Sequence, residues 1–337
     1  MILIQSYTAP SEMHPKSLFE KFDDIKVVFS KSDVPGALGI KKILWLALKS
    51  NLVSKRGELI FGWGGPVALY AWAIGNLLCL KRKYYSQNLI FREESKASLK
   101  GKFVYWLYKK ALQSKNFAMT VNSEQLVDYY SNMFGCHKDR FSVVYDGMSL
   151  NEDEQNMRKN PQSQPYVFGG GGKAARDIKS FMEIVKALPD VHFKCVFLRE
   201  AVVPEMYELK NLEVYTDVPK KEFYEILNNA TVCCIPLKSK APCGLYVMQH
   251  AILLNIPIVS TETFSMRTIV PNDECGYLMP MGDVKGMAEK VRILIDDKDL
   301  RKRLSHNALL NFDKFSPENV GKQLCNAIDN YLKSFND

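Results

Sequence analysis

Apolar positions along the chain follow two rhythms. Met1 to Tyr7 (MILIQSY), Ile25 to Ser30 (IKVVFS), Glu58 to Trp63 (ELIFGW), Asn88 to Phe91, Phe117 to Val121 and Phe141 to Tyr145 are short, largely apolar runs without alternation. That is the pattern of parallel strands covered on both faces. Between them, apolar residues recur at helical spacing in Lys16 to Phe22, Gly39 to Asn51, the stretch after Pro66, the stretch from Arg92 to Ser114, and Glu124 to Phe134, which Asn122-Ser123 would cap. The second half repeats the scheme. Strands are expected at Tyr166 to Phe168, Phe193 to Leu198, Leu212 to Tyr215, Thr231 to Leu237 and Pro257 to Thr261. A tight loop is expected at Gly169 to Gly172, and helices at Asp177 to Ala187, Lys221 to Asn228 and from Gly244 onward. Three amphipathic helices, Val284 to Asp296, Asp299 to Asn311 and Pro317 to Phe335, finish the chain. Strands alternating with helices in both halves predict an α/β protein of two doubly wound, Rossmann-like domains facing a cleft, with ligands at the carboxyl ends of the strands.

Residues 151–165 (NEDEQNMRKNPQSQP) carry two prolines and no apolar period, so the interdomain linker is placed there. The expected domains are then residues 1–150 and 166–315. A C-terminal helix over 316–337 is expected to return to the first. Residues 59–80 contain no charge and meet the crude length of a membrane span. Gly62, Gly64, Gly65 and Pro66 fall together inside that run and divide it into a strand and a helix instead.

Composition adds little to this picture, whereas charge adds a direction. Of the net +8, all lies in the first half: residues 1–160 hold 23 Lys and Arg against 15 Asp and Glu, and the remainder is balanced. Lys81 to Lys115 alone has ten basic and two acidic residues, interleaved with Tyr84, Tyr85, Phe103, Tyr105, Trp106 and Tyr108. Such a mixture suits an anionic lipid surface better than nucleic acid, because cations attract while aromatic rings settle at the interface. The eight cysteines form no CxxC pair and no His/Cys ligand spacing, so reduced thiols in the cytoplasm and no metal site are expected.

Two stretches carry chemistry. Gly169-Gly-Gly-Gly-Lys-Ala-Ala-Arg176-Asp177 follows a strand and precedes a helix, so Gly171 and Gly172 let the backbone approach an anion, with Lys173 and Arg176 beside it. It lacks the spacing of dinucleotide fingerprints and of Walker loops. The second stretch, Pro242-Cys-Gly-Leu-Tyr-Val-Met-Gln-His250, opens a helix whose unpaired N–H groups favour a phosphate. Cys243, Gly244, Leu245 and Tyr246 would surround that point. In the first domain the loop Thr8 to His14 and the segment Arg92-Glu93-Glu94 should end at the cleft, where Glu12, His14 or Glu93 could act as base or orient an acceptor.

Taken in order, Val121-Asn-Ser123, Phe141 to Gly147, the glycine loop with Arg176-Asp177, Asp217 to Glu225, Cys243-Gly-Leu to Pro257-Ile-Val and Gly276 to Asp283 resemble the GT-B glycosyltransferases of group 1, family 4. The resemblance covers about residues 115–312 well. It implies a nucleotide diphosphate-sugar as substrate, no bound cofactor, a glycan or lipid-linked acceptor, and retention of configuration. The cysteine usage and the basic, aromatic Lys81 to Lys115 segment add an expected location in the cytoplasm, peripheral on the inner face of the membrane. In the family a helix glutamate binds the ribose and an acidic residue eight positions earlier contacts the sugar. Matching back from Pro257 puts His250 and Pro242 there, whereas counting forward from Gly244 puts Gln249 at the ribose. Both glutamates are replaced. The departure leaves two rivals open, a non-catalytic GT-B partner subunit or glycan-binding protein, and a nucleotide-sugar epimerase.

Overall fold

The computed structural model describes residues 1–5, 20–22, 25–29, 39–63, 66–157, 164–172, 175–240 and 245–335. The chain forms two compact units, Met1–Asp146 with Pro317–Asp337, and Gly147–Ser316. The division falls ahead of the polar stretch in which the sequence suggests a linker. There Met148 N–H donates to the Phe315 carbonyl at 3.0 Å, and Glu152–Gln155 forms a helical turn capped by Asn151.

Unit 1 contains strands β1 (Ile2–Gln5), β2 (Lys26–Phe29), β3 (Leu59–Trp63), β4 (Lys83–Ser86), β5 (Phe117–Val121) and β6 (Phe141–Val143). They form one parallel sheet in the order β2-β1-β3-β4-β5-β6, with Ile2 opposite both Lys26 and Ile60. The main helices between them are α1 (Ile40–Val53), α2 (Val67–Leu77), α3 (Leu99–Gln113) and α4 (Glu124–Phe134). Ser98 caps α3 and Ser123 caps α4, while Gly135 ends α4 in the left-handed region. The uncharged run 59–80 divides into β3 and α2, and no helix among the described residues is long and apolar enough to cross a membrane.

One expected strand is displaced. Asn88 to Phe91 is not extended in the sheet; Lys83–Ser86 pairs with β3 and β5 in its place. Asn88 adopts φ 53°, which breaks a strand, and Leu89 and Phe91 are buried beyond the break. The apolar run was genuine, but it serves core packing and not pairing.

Unit 2 comprises the short helix α5 (Glu152–Gln155), β7 (Val167–Gly171), α6 (Ile178–Ala187), β8 (Phe193–Phe197), β9 (Leu212–Thr216), α7 (Lys220–Asn228), β10 (Val232–Ile235), α8 (Leu245–Leu253), β11 (Ile258–Thr261), α9 (Met266–Ile269), β12 (Tyr277–Met279), α10 (Val284–Asp296) and α11 (Lys298–Leu310). Its parallel sheet runs β12-β11-β10-β7-β8-β9, the doubly wound order whose direction reverses between β7 and β10.

The last helix, α12 (Pro317–Lys333), belongs to unit 1. Val320, Leu324, Ile328 and Tyr331 recur at three- and four-residue spacing and pack with Leu3, Leu59, Phe61 and Tyr85. The alternate residue Tyr84 points to the opposite face, where its hydroxyl donates to Asn51 Oδ1 in α1 at 2.7 Å.

Candidate functional site

The reversal between β7 and β10 is where a doubly wound sheet leaves a crevice. Contrary to the expected tight loop at Gly169 to Gly172, three of these glycines continue the strand, and packing explains why. An added Cβ at Gly169 would lie 2.4 Å from the Phe181 ring, and one at Gly170 would lie 2.8 Å from the Val196 carbonyl. Only Gly171 has a positive φ, 120°, and there a Cβ would meet the Arg176 guanidinium at 2.4 Å. Gly172 is open, with Leu198 as its nearest neighbour.

Arg176 is buried. Its Nε donates to the Gly170 carbonyl at 2.5 Å, and its backbone bridges to Leu237 beyond β10. Asp177 N–H donates to the Pro236 carbonyl, and Lys238 N–H to that of Ala175. The segments that follow β7 and β10 are thereby laced into one rigid edge. Asp177 caps α6, accepting from Ser180 N–H and Oγ, so its carboxylate already occupies that helix start.

Helix α8 is followed two residues on by Asn255 in the left-handed region. Tyr246 is half exposed, at 52%, whereas Gln249 and His250 are each 2% exposed. His250 lies between two tyrosine rings, Tyr246 at 4.4 Å and Tyr224 of α7 at 4.6 Å between centroids. Its Nδ1 is 2.9 Å from the Tyr246 carbonyl. The two phenol oxygens are 2.6 Å apart, which closes this cover. Loss of hydration lowers the imidazole pKa, against the raising effects of the Tyr246 carbonyl and the Glu154 carboxylate.

Glu154 was not singled out from the sequence. It is buried, its Oε2 lies 3.9 Å from His250 Nε2, and its Oε1 lies 3.2 Å from Lys220 Nζ. The same carboxylate accepts from Asn151 N–H in a reciprocal capping box. Its only signal in the sequence was Asn151-x-x-Glu154, hidden in a stretch that reads as linker. A second overlooked group is Asp146 in unit 1, which accepts from Asn88 and Asn122 amides at 2.8 and 2.6 Å. Burial raises its pKa, against the lowering effect of the Asn122 hydrogen bond.

The other expected site residues are placed as follows. Glu93 lies in an exposed 3-10 turn and pairs with Lys96 at 3.3 Å. Glu12, His14, Lys173, Cys243 and Gly244 lie outside the described residues. Among the described residues no group of three or more His, Cys, Asp or Glu side chains is arranged to hold a metal ion.

Two parallel α/β sheets, one of them reversing at a glycine-ended strand, define a protein of the GT-B fold class. Residues 205–310, within the second unit, match the family model described as glycosyl transferases group 1. The chain is 32% identical over 186 residues to the capsular polysaccharide biosynthesis glycosyltransferase CapM of Staphylococcus aureus, covering 50% of this chain and 47% of that one. It thus spans about half the length of that relative. Among solved structures, sucrose-phosphate synthase from Thermosynechococcus elongatus superposes with a TM-score of 0.73 at 14% identity, covering 99% of each chain. Anabaena Alr3699/HepE in complex with UDP gives 0.70 at 12% identity, covering 98% of this chain and 99% of that one. At these identities the superpositions show the fold.

Proposed function

We propose that the protein transfers a sugar from a nucleotide diphosphate-sugar to a glycan or lipid-linked acceptor in surface-polysaccharide synthesis, with retention of configuration, while peripheral to the cytoplasmic face of the membrane. The observation that carries this reading is the rigid edge where β7 and β10 end, lying in the same unit as the group 1 segment. The CapM likeness supports the process, and the HepE structures with UDP and UDP-glucose support the donor class.

In this reading charge develops on the diphosphate as the glycosidic bond breaks. Stabilising that charge is the largest service a protein can offer the step. Gly171 and Gly172 admit the diphosphate, Lys173 and Arg176 supply positive charge, and Cys243, Gly244 and Leu245 open α8 towards it. Arg176 acts from behind the turn, through its field and by holding Gly170. Tyr246 faces the nucleoside side, with Gln249 and His250 packed behind it. Glu12, His14 and Glu93 remain the acceptor-side groups. The test is turnover of common UDP- and GDP-sugars by purified protein, with thermal shift as the binding readout. Neither turnover nor shift with any donor would sink the enzyme reading. Arg176→Ala should weaken a nucleoside diphosphate more than the free nucleoside; equal weakening would remove Arg176 from the phosphate site.

A second reading is a non-catalytic GT-B partner subunit. The observation favouring it is that α8 presents no carboxylate and keeps His250 covered by two tyrosines. Donor binding without turnover, under every acceptor tried, would select it. An epimerase would instead convert donor with no acceptor present.

A further inference from the structure

Helix α1 is turned inside out for a helix in water. Its buried stripe is Leu46, Ala47, Ser50 and Asn51, two of them polar, while Leu44, Trp45, Leu48 and Leu52 face outward. The polar stripe is fully used: Asn51 Nδ2 donates to the Ala47 and Ala71 carbonyls, and Ser50 Oγ donates to the Ala47 carbonyl. Neighbouring α2 carries no charged residue and ends in Leu77, 82% exposed. On α3, Phe103 and Trp106 stack on each other with ring centres 6.0 Å apart and are each about half exposed.

The three helices enclose a groove of about 590 Å³, lined by Ile40, Leu44, Ile74, Leu77, Phe103 and the stem of Lys100 among others, almost wholly apolar. Charge around it has one sign. Helices α1 and α3 contain three and four lysines and no aspartate or glutamate. One of them, Lys49, lies 4.8 Å above the Trp45 ring. A soluble helix directs its apolar stripe at the core, so an outward apolar face ringed by ammonium groups marks an environment that is oily at the centre and anionic at the rim.

We propose that α1, α2 and α3 form a bilayer-docking face, with a hydrocarbon tail of an anionic phospholipid bilayer entering the groove. This deepens the peripheral-membrane part of the function proposed above and assigns it to a face centred on α1 and α2. The Lys81 to Lys115 stretch singled out from charge contributes only α3 to it. Self-association fits less well, because two copies of a lysine-only face repel with no acidic partner to pair. Nucleic acid fits less well, because the groove offers bases almost nothing to hydrogen-bond.

The protein should pellet with phosphatidylcholine vesicles doped with phosphatidylglycerol, and not with vesicles of phosphatidylcholine alone. Added salt should weaken the binding, since the Debye length falls from about 10 Å at 0.1 M to about 3 Å at 1 M. Vesicles with brominated acyl chains should quench the tryptophan emission of the unmodified protein, and Trp45→Phe with Trp106→Phe should remove that quenching. Leu44→Ser with Phe103→Ser, both at exposed positions, should reduce partitioning by about tenfold or more, since only the exposed part of each side chain, roughly half, is withdrawn from the bilayer. Absence of pelleting with anionic vesicles would overturn the proposal. So would equal pelleting of the Leu44→Ser/Phe103→Ser protein, or a dimer in solution that this double variant converts to monomer. Donor turnover is read separately, so failure here and failure of the transferase reading are distinguishable.

Discussion

In unit 2 three buried charged or titratable side chains are held by contacts inside the unit: Arg176 behind Gly171, and Glu154 and His250 between α5, α7 and α8. In unit 1 the equivalent helical layer does the opposite, with Ser50 and Asn51 held inside α1 and leucine and tryptophan turned out. The same alternation of strand and helix thus supports two uses. One unit makes a laced polar edge at the ends of β7 and β10, and the other makes an apolar, cationic helical face. The difference teaches that strand order alone does not say which face of a unit is polar. The side of each helix that carries the polar residues does.

All four tryptophans, at 45, 63, 72 and 106, lie in unit 1, so their emission reports that unit while circular dichroism reports both. The largest effect is expected from Gly171→Ala. A residue with φ 120° and a Cβ 2.4 Å from Arg176 Nε forces either strain or loss of the Gly170 contact, at a cost of about 4 kcal/mol. The dichroism melt should fall by roughly 10 °C while the tryptophan transition moves less. Equal movement of both would mean that the two units melt as one.

Leu324→Ala sharpens the comparison from the other side. It empties a fully buried position between α12 and the first sheet, at about 3 kcal/mol, and the tryptophan transition should carry most of the change. Next in size is Glu154→Gln, which keeps the shape but removes the charge. Lys220 is largely exposed and a glutamine amide oxygen can still accept from Asn151 N–H, so the expected loss is only about 1 kcal/mol, from replacing a charged acceptor at the helix start by a neutral one. A double-mutant cycle with Lys220→Met should give a coupling energy below about 1 kcal/mol, and a larger value would show that the ion pair dominates.

The smallest effect concerns His250. Its pKa is depressed in the folded state by loss of hydration, so between that value and the ordinary 6.5 the unfolded chain binds more protons. Stability should therefore rise with pH through this window and be lost as pH falls below about 6.5, the ordinary imidazole value. His250→Gln should flatten that segment of a urea-midpoint profile against pH. An unchanged slope would assign the acid sensitivity elsewhere, with Asp146 unable to explain it in this direction because its raised pKa favours the protonated form when folded.

Much of the architecture was legible before any coordinates. Continuous apolar runs bounded by turn residues place β3, β5, β8, β10 and β11 within a residue or two, because a strand buried on both faces has no choice of residue type on either. The amphipathic spacing of Val320, Leu324, Ile328 and Tyr331 likewise marks α12 as a helix with one face to bury. Runs such as Asn88 to Phe91 mislead because an apolar run records burial and not pairing, and Lys83–Ser86 takes the pairing. Several matters belong to tertiary structure alone. They are the partner of the α12 face, the service of Gly169 and Gly170 to strand packing, the approach of Glu154 to His250 across about a hundred residues of chain, and the inversion of α1. Each depends on which distant side chain arrives at a position, and that is set by the packing of the whole unit and not by the period of any one segment.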